Sequence, residues 1–308
     1  MESVVFSELA KRYGRVEALR GVSLNVRQGE LFGLIGPDGA GKTTLMRILT
    51  SLILPDSGTA TVAGLDVRRD FRTLRRRIGY MPGRFSLYAD LTVAENLKFF
   101  ADVFGTTLAD NYDLVSDIYV QLEPFSGRRA GKLSGGMKQK LALCCALIHR
   151  PEVLFLDEPT TGVDAVSRQE FWDMLARIRQ QGITIVASTP YMDEAARCDR
   201  IALMTNGSFL TVDTPAAIAA AYPYPLWAVC TDRMHRLLAD LRRYPTTRTA
   251  FSFGDSAHAT FTAPLTPADL HAYLAAQGHG AIGIAATAPG VEDRFILLAD
   301  DSQPAATR

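Results

Sequence analysis

Nine consecutive residues, Gly36, Pro37, Asp38, Gly39, Ala40, Gly41, Lys42, Thr43 and Thr44, have the spacing GxxxxGK[ST] of a loop built to hold phosphate. Glycines let backbone N–H groups turn inward around anionic oxygens, and a helix beginning at the loop adds a favourable field. Lys42 is expected at the β- and γ-phosphates of a nucleotide such as ATP, and the Thr43 hydroxyl at its Mg2+. An ordinary glycine-rich turn is the bland alternative. It would not require the apolar run Leu31 to Ile35 before the loop or the helical pattern Thr43 to Thr50 after it.

A second chemical group ends the apolar run Val153 to Leu156, where Asp157 and Glu158 stand side by side. Alternation along a strand would send the two carboxylates to opposite sides. Asp157 is assigned to the metal, and Glu158 to an attacking water as general base. Alone, an Asp-Glu pair is weak, because strands often end in solvent-facing acids. Downstream of a phosphate loop it gains weight.

The third group is LSGGMKQK, Leu133 to Lys140, ahead of an apolar helix that runs to His149. With this segment the first ~210 residues resemble the ABC ATPase superfamily, whose signature is LSGGQ, with Met137 here in place of the commoner Gln. The resemblance implies a P-loop NTPase core with an inserted helical subdomain, binding ATP and Mg2+. It also implies a head-to-tail partnership with a second ABC ATPase domain, in which Ser134, Gly135 and Gly136 touch the γ-phosphate held by the partner. Small residues at a helix start suit that task, since they permit close approach and present donors to an anion. Tyr13 matches the family's adenine-stacking aromatic, and Asp164, in TTGVDAVS, matches the loop that meets the partner domain.

Two positions depart from the family. Gly83, in IGYMPGRFSLY, stands where a glutamine is usual, and Pro190, in STPYMDEA, where a histidine bonds the γ-phosphate. Neither carries a side-chain donor, and proline lacks even the backbone N–H. The expectation is an ATP site that binds nucleotide and hydrolyses it slowly. Arg84 or Tyr191 could instead stand in for the lost groups. GPDGAGKTTLMR, AGKLSGGMKQK and STPYMDEA together resemble the first half of tandem ATPases of bacterial multidrug exporters. The resemblance implies a membrane permease as partner, a place at the cytoplasmic face of the membrane, and cargo leaving the cell.

These groups require a scaffold of alternating strands and helices. Apolar runs at Leu31 to Ile35, Val153 to Leu156, Ile183 to Ser188 and Ile201 to Met204 read as strands of a largely parallel α/β sheet over residues 1–213. Residues 91–133 read as the inserted helical subdomain. An alanine- and proline-rich linker is expected over 214–225, and a small α/β accessory domain over 226–299. Within it, strands are expected at Leu226 to Cys230, Arg248 to Phe253 and Ala257 to Phe261, and helices at Met234 to Arg243, Pro267 to Ala276 and Val291 to Leu298. A flexible tail is expected over 300–308. The accessory domain resembles that of exporter ATPases, and PGVEDRFILL resembles their closing motif, which implies dimer contact or regulation.

Composition bounds the reading. Lys plus Arg and Asp plus Glu are 33 each in 308 residues, so no overall basic field attracts nucleic acid. No stretch approaches the ~20 apolar residues of a membrane span, so a membrane role would run through a partner. Cys144, Cys145, Cys198 and Cys230 lack metal-ligand spacing and read as reduced packing residues. His235, His258, His271 and His279 are scattered in the same way. Six arginines within Arg68 to Arg77 read either as a solvated helix face or as an attraction for anionic lipid or an acidic permease loop. Residues Arg84 to Asn96 resemble the family's permease-contact region. A ribosome- or DNA-associated ABC ATPase, the alternative from another class, would favour a basic chain or two cassettes; a catalytically silent regulatory subunit would tolerate loss of Glu158.

Overall fold

The computed structural model describes residues 1–301. Two long strands, β1 (Glu2–Tyr13) and β2 (Val16–Arg27), open the chain as an antiparallel pair. Along β1, Val4, Phe6 and Leu9 are buried between more exposed neighbours, the one-sided pattern of a sheet with a wet face. By contrast β3 (Leu31–Ile35) is buried at every position. It passes through the glycine loop into α1 (Lys42–Leu49), whose Leu45, Met46, Ile48 and Leu49 enter the core. Two glycines make that connection possible. Gly41 sits at φ 106°, and a Cβ at Gly36 would collide with the Met204 carbonyl oxygen.

β4 (Ser57–Val62) and β5 (Leu65–Asp66) complete an antiparallel sheet of order β2-β1-β4-β5. The sequence reading did not separate this sheet, because its half-polar strands lack the continuous apolar runs seen elsewhere. α2 (Phe71–Arg77) buries only Leu74 and leads into β6 (Ile78–Met81). The helical middle comprises α3 (Val93–Phe104), α4 (Tyr112–Leu122) and α5 (Gly135–Leu147). Its entry is fixed by a capping box: Thr92 Oγ1 accepts the Glu95 N–H at 3.2 Å, and Glu95 accepts the Thr92 N–H at 2.8 Å.

β7 (Val153–Asp157), α6 (Ala165–Gln180), β8 (Thr184–Thr189), β9 (Arg200–Thr205) and β10 (Ser208–Asp213) finish the second sheet. Its order is β10-β9-β3-β8-β7-β6, parallel throughout except for β10. Parallel strands end on one edge, so the segments after β3, β6, β7 and β8 emerge together. Open α/β sheets bind ligands at that edge.

The described chain divides into two compact units, one of Met1–Ile218 with residues 297–301, the other of Ala219–Ile296. Residues 214–225, expected as a linker, include the short helix α7 (Pro215–Ala220). The second unit contains β11 (Leu226–Cys230), α8 (Met234–Arg243), β12 (Thr247–Phe253), β13 (Ser256–Phe261), α9 (Pro267–Ala276) and β14 (Gly283–Thr287). Its sheet, ordered β12-β13-β11-β14, is antiparallel, and its core gathers Val229, Leu237, Leu241, Leu270 and Leu274. α10 (Val291–Asp301) runs three residues beyond the helix end expected at Leu298. The tail expected over 300–308 falls, from residue 302 onward, outside the described residues. Cys144, Cys145 and Cys198 are buried, whereas Cys230, at the end of β11, is exposed, with its sulfur against Gly283 of the neighbouring strand.

Candidate functional site

The glycine loop holds Lys42 almost completely buried, which a charged ammonium tolerates only when it is well partnered. Its Nζ donates to the carbonyl oxygens of Gly36 at 2.7 Å and Pro37 at 3.0 Å, and lies 3.2 Å from Glu158 Oε1. Next to it, Thr43 Oγ1 donates to Asp157 Oδ1 at 3.1 Å. Ser188 Oγ donates to the same carboxylate oxygen at 2.7 Å and accepts the Glu158 N–H at 3.0 Å. The loop, the end of β7 and the end of β8 therefore form one hydrogen-bonded group.

Simple alternation does not set the two acids apart. Asp157 closes β7, but Glu158 lies past the strand with φ 51°, a left-handed conformation uncommon for a residue with a side chain. That turn aims Glu158 back at Lys42. Tyr80, on the neighbouring strand, has its phenol pushed up to about 12, first by burial and then by the charge of Asp157.

Gly39, Ala40, Gly41, Lys42, Thr43 and Thr44 line a cleft of about 450 Å3 with Glu158 and Tyr13. Tyr13 is half-exposed at its rim, with the Lys11 ammonium 5.7 Å from the ring centre. A flat, partly open ring suits stacking on a base. Arg15, Arg20 and Asn206 also line the cleft, and nothing in their local sequence marked them. The hydroxyl of Thr43 and the carboxylate of Asp157 supply hard oxygen donors beside the loop, the chemistry Mg2+ accepts. The residues present fit that ion.

Ser134, Gly135, Gly136 and Asp164 belong to a different cluster and do not line the cleft. Ser134 Oγ caps α5 by accepting the Met137 N–H at 3.3 Å. The Asp164 carboxylate caps α6 by accepting the Ser167 N–H at 3.0 Å, and this bond holds its pKa below the usual carboxylate range. A Cβ built on Gly136 would stand 3.1 Å from Ser167 Oγ, and one on Gly135 would stand 3.5 Å from the Gly162 carbonyl. The two segments are thus packed against each other, with their small residues at the contact.

Both departures from the family pattern follow strand ends, Gly83 after β6 and Pro190 after β8, and neither lines the cleft. A Cβ at Gly83 would lie 3.0 Å from the Asp157 carbonyl oxygen, so a side chain there needs a shift of the backbone. Pro190 directly follows β8. Neither proposed stand-in lines the cleft. Arg84 faces a separate cavity of about 190 Å3 shared with Phe85, Phe100, Phe104 and His149. The ring of Tyr191 lies beneath the Arg168 guanidinium, 4.4 Å from ring centre to Cζ. Arg168 also pairs with Asp193 at 3.3 Å and approaches Glu194 at 3.9 Å. Glu194 is buried and accepts a hydrogen bond from Thr189. This network ties the turn after β8 to α6, a pairing across elements that no local motif marks.

In the second unit, His279 is buried between Thr231 at 3.1 Å and Asp240 at 3.0 Å. His258 bonds Asp293 at 2.8 Å. Both histidines have polar partners that account for their positions.

Residues 19–161 match the ABC transporter family. The sequence is 39 % identical over 301 residues to the probable multidrug ABC transporter ATP-binding protein YbhF of Escherichia coli, covering 96 % of this chain and 52 % of that protein. The chain therefore spans about half the length of that relative. It is 38 % identical over 222 residues to the Nod factor export ATP-binding protein I of Paraburkholderia xenovorans, covering 71 % of this chain and 73 % of the relative. A bacterial ABC transporter cassette solved as a dimer superposes with a TM-score of 0.62 at 25 % identity, covering 68 % of this chain and 98 % of that one.

Proposed function

The chain belongs to the ABC transporter ATP-binding family, and from that premise we propose that it is the ATP-binding subunit of a membrane exporter whose own site holds Mg-ATP but turns it over slowly. The observation that carries the second half is the pairing of an intact phosphate loop with Gly83 and Pro190 after the strand ends, while Arg84 lines a separate cavity and Tyr191 lies against Arg168.

Without nucleotide, Lys42 and Glu158 neutralise each other. A γ-phosphate entering the loop competes for Lys42 and frees Glu158 to orient a water. Ser188 holds the Asp157 carboxylate and the Glu158 backbone in place during that exchange. Mg2+ held by Thr43 and Asp157 would neutralise charge on the β- and γ-oxygens. What the site lacks is a donor aimed at the γ-phosphate from Pro190 and a polar side chain at Gly83. Loss of one such donor typically slows chemistry by ~10²–10³, whereas the loop amides and Lys42 still bind.

The cluster of Ser134, Gly135, Gly136 and Asp164, which does not line this cleft, supports a second ABC ATPase domain as the partner whose nucleotide it would cap. The apolar cavity beside Phe85, Leu87, Phe100 and Phe104 suits helices from a membrane permease. No helix among the described residues is long and apolar enough to cross a membrane, so the chain would act at the cytoplasmic face through that permease. The similarity to a probable multidrug transporter protein and to a Nod factor export protein supports export as the direction and drug-like compounds as the cargo. Affinity purification from solubilised membranes tests the transporter reading. Recovery of an integral membrane protein is expected; recovery of ribosomes or DNA in its place would overturn it.

A further inference from the structure

We propose that α2 and the loop beside it form a docking surface for anionic lipid headgroups, so that the chain touches the bilayer directly as well as through its partner. Arg68, Arg69, Arg72, Arg75, Arg76 and Arg77 are all exposed. Leu74 is the only buried residue of α2, and positions two residues to either side of it lie roughly 200° around a helix. Arg72 and Arg76 therefore point directly away from the core.

The surface is built from two segments held together. Arg75 donates from Nη2 to the Ser51 carbonyl at 2.7 Å, and Arg68 donates to the Pro55 carbonyl at 3.0 Å. These bonds lay residues 51–55 along the helix. On that segment Leu52 and Leu54 are 50 % and 57 % exposed, and on the helix Phe71 is 37 % exposed. Arg72 and Arg75 flank the Phe71 ring at 5.8 and 5.4 Å.

Charge decides the occupant. Arg77 is paired with Glu152 at 3.5 Å. Asp66 and Asp70 spend their carboxylates on backbone N–H groups of the same turn. Asp66 also feels the charge of Arg69, whereas among the described residues the guanidinium groups of Arg72 and Arg76 have no ion pair with a carboxylate. Unpaired guanidinium groups beside exposed leucine and phenylalanine match the boundary of an anionic bilayer, where headgroups meet charge and acyl chains meet apolar side chains. An acidic protein segment would satisfy the arginines and leave Leu54 and Phe71 wet, whereas Leu52 lines the cavity beside Phe85. The chain as a whole is balanced at 33 basic and 33 acidic residues, so the attraction belongs to this patch and not to net charge.

The test needs no permease and is independent of the exporter reading. The full chain is sedimented with vesicles of phosphatidylglycerol and phosphatidylcholine, and with phosphatidylcholine alone, at rising salt. Binding to the anionic vesicles only, weakening as salt screens the charges, is expected. Arg72→Glu/Arg76→Glu should bind them about tenfold or more weakly, and Phe71→Ser should also bind less, while melting temperature and Mg-ATP affinity stay unchanged in both. Binding no better than to phosphatidylcholine, or equal binding by the charge-reversed variant, overturns the proposal. So does a charge-reversed variant that loses a co-purifying protein yet keeps its vesicle binding, which would identify an acidic protein as the occupant.

Discussion

The phosphate loop and the strand ends near the nucleotide cleft have been kept to different standards. On the loop side the ammonium, the hydroxyl and the carboxylate are partnered: Lys42 by two carbonyls and Glu158, Thr43 by Asp157, and Asp157 again by Ser188. On the strand-end side Gly83 presents no side chain and Pro190 no donor. Binding and hydrolysis draw on these sides unequally, since holding a triphosphate needs donors on the ground-state anion and breaking it needs donors where charge develops. A site can lose the second capacity and keep most of the first.

The largest effect should come from rebuilding the depleted side. Gly83→Gln/Pro190→His is expected to raise steady-state turnover by about 10²–10³ with little change in nucleotide affinity. Pro190→His should supply most of the gain, because a Cβ at position 83 meets the Asp157 carbonyl at 3.0 Å. No gain from either variant would break the comparison. Damaging the intact side should do the reverse. Lys42→Ala is expected to weaken binding of a fluorescent ATP analogue about a hundredfold or more, by removing a buried ammonium from the phosphate site.

A smaller effect tests the brace between the strands. Ser188→Ala removes the hydroxyl's bonds to Asp157 and to the Glu158 N–H, which keeps the Ser188 carbonyl at 3.1 Å, and should lower unfolding stability by about 1–3 kcal/mol in denaturant titration. An unchanged midpoint would mean that water replaces the hydroxyl without loss. The smallest concerns the rim. Tyr13→Ala should weaken ATP binding by only about threefold to tenfold, the worth of one stacked ring, and should leave inorganic triphosphate binding unaltered. Equal losses for both ligands would show that Tyr13 does not stack on the base.

Where chemistry demands one residue type in one place, the sequence was readable. Lys42 and Thr43 follow a glycine pattern with few other uses, and β3, β7 and β8 are apolar runs whose burial on both faces excludes polar residues. The antiparallel sheet of β1, β2, β4 and β5 was harder to see, because each strand is half wet and its partners lie far apart in sequence. Glu158 shows the limit within the site itself. Alternation predicted its side, but a left-handed turn sets its direction, and nothing in VLFLDE encodes that turn. Ser188 and Arg168 were invisible for a related reason: their roles exist only across neighbouring elements. The same holds for Arg84 and Tyr191, which adjoin the departures in sequence and face away from the cleft in space.

The central claim is that this site binds well and cuts poorly, and the most direct test is steady-state ATPase activity of the purified chain alongside its Mg-ATP affinity. The account predicts saturable binding with turnover at least about a hundredfold below the ordinary enzyme median of roughly 10 s⁻¹. Turnover at or above that median, from the chain alone, would contradict it and show that Gly83 and Pro190 have been compensated.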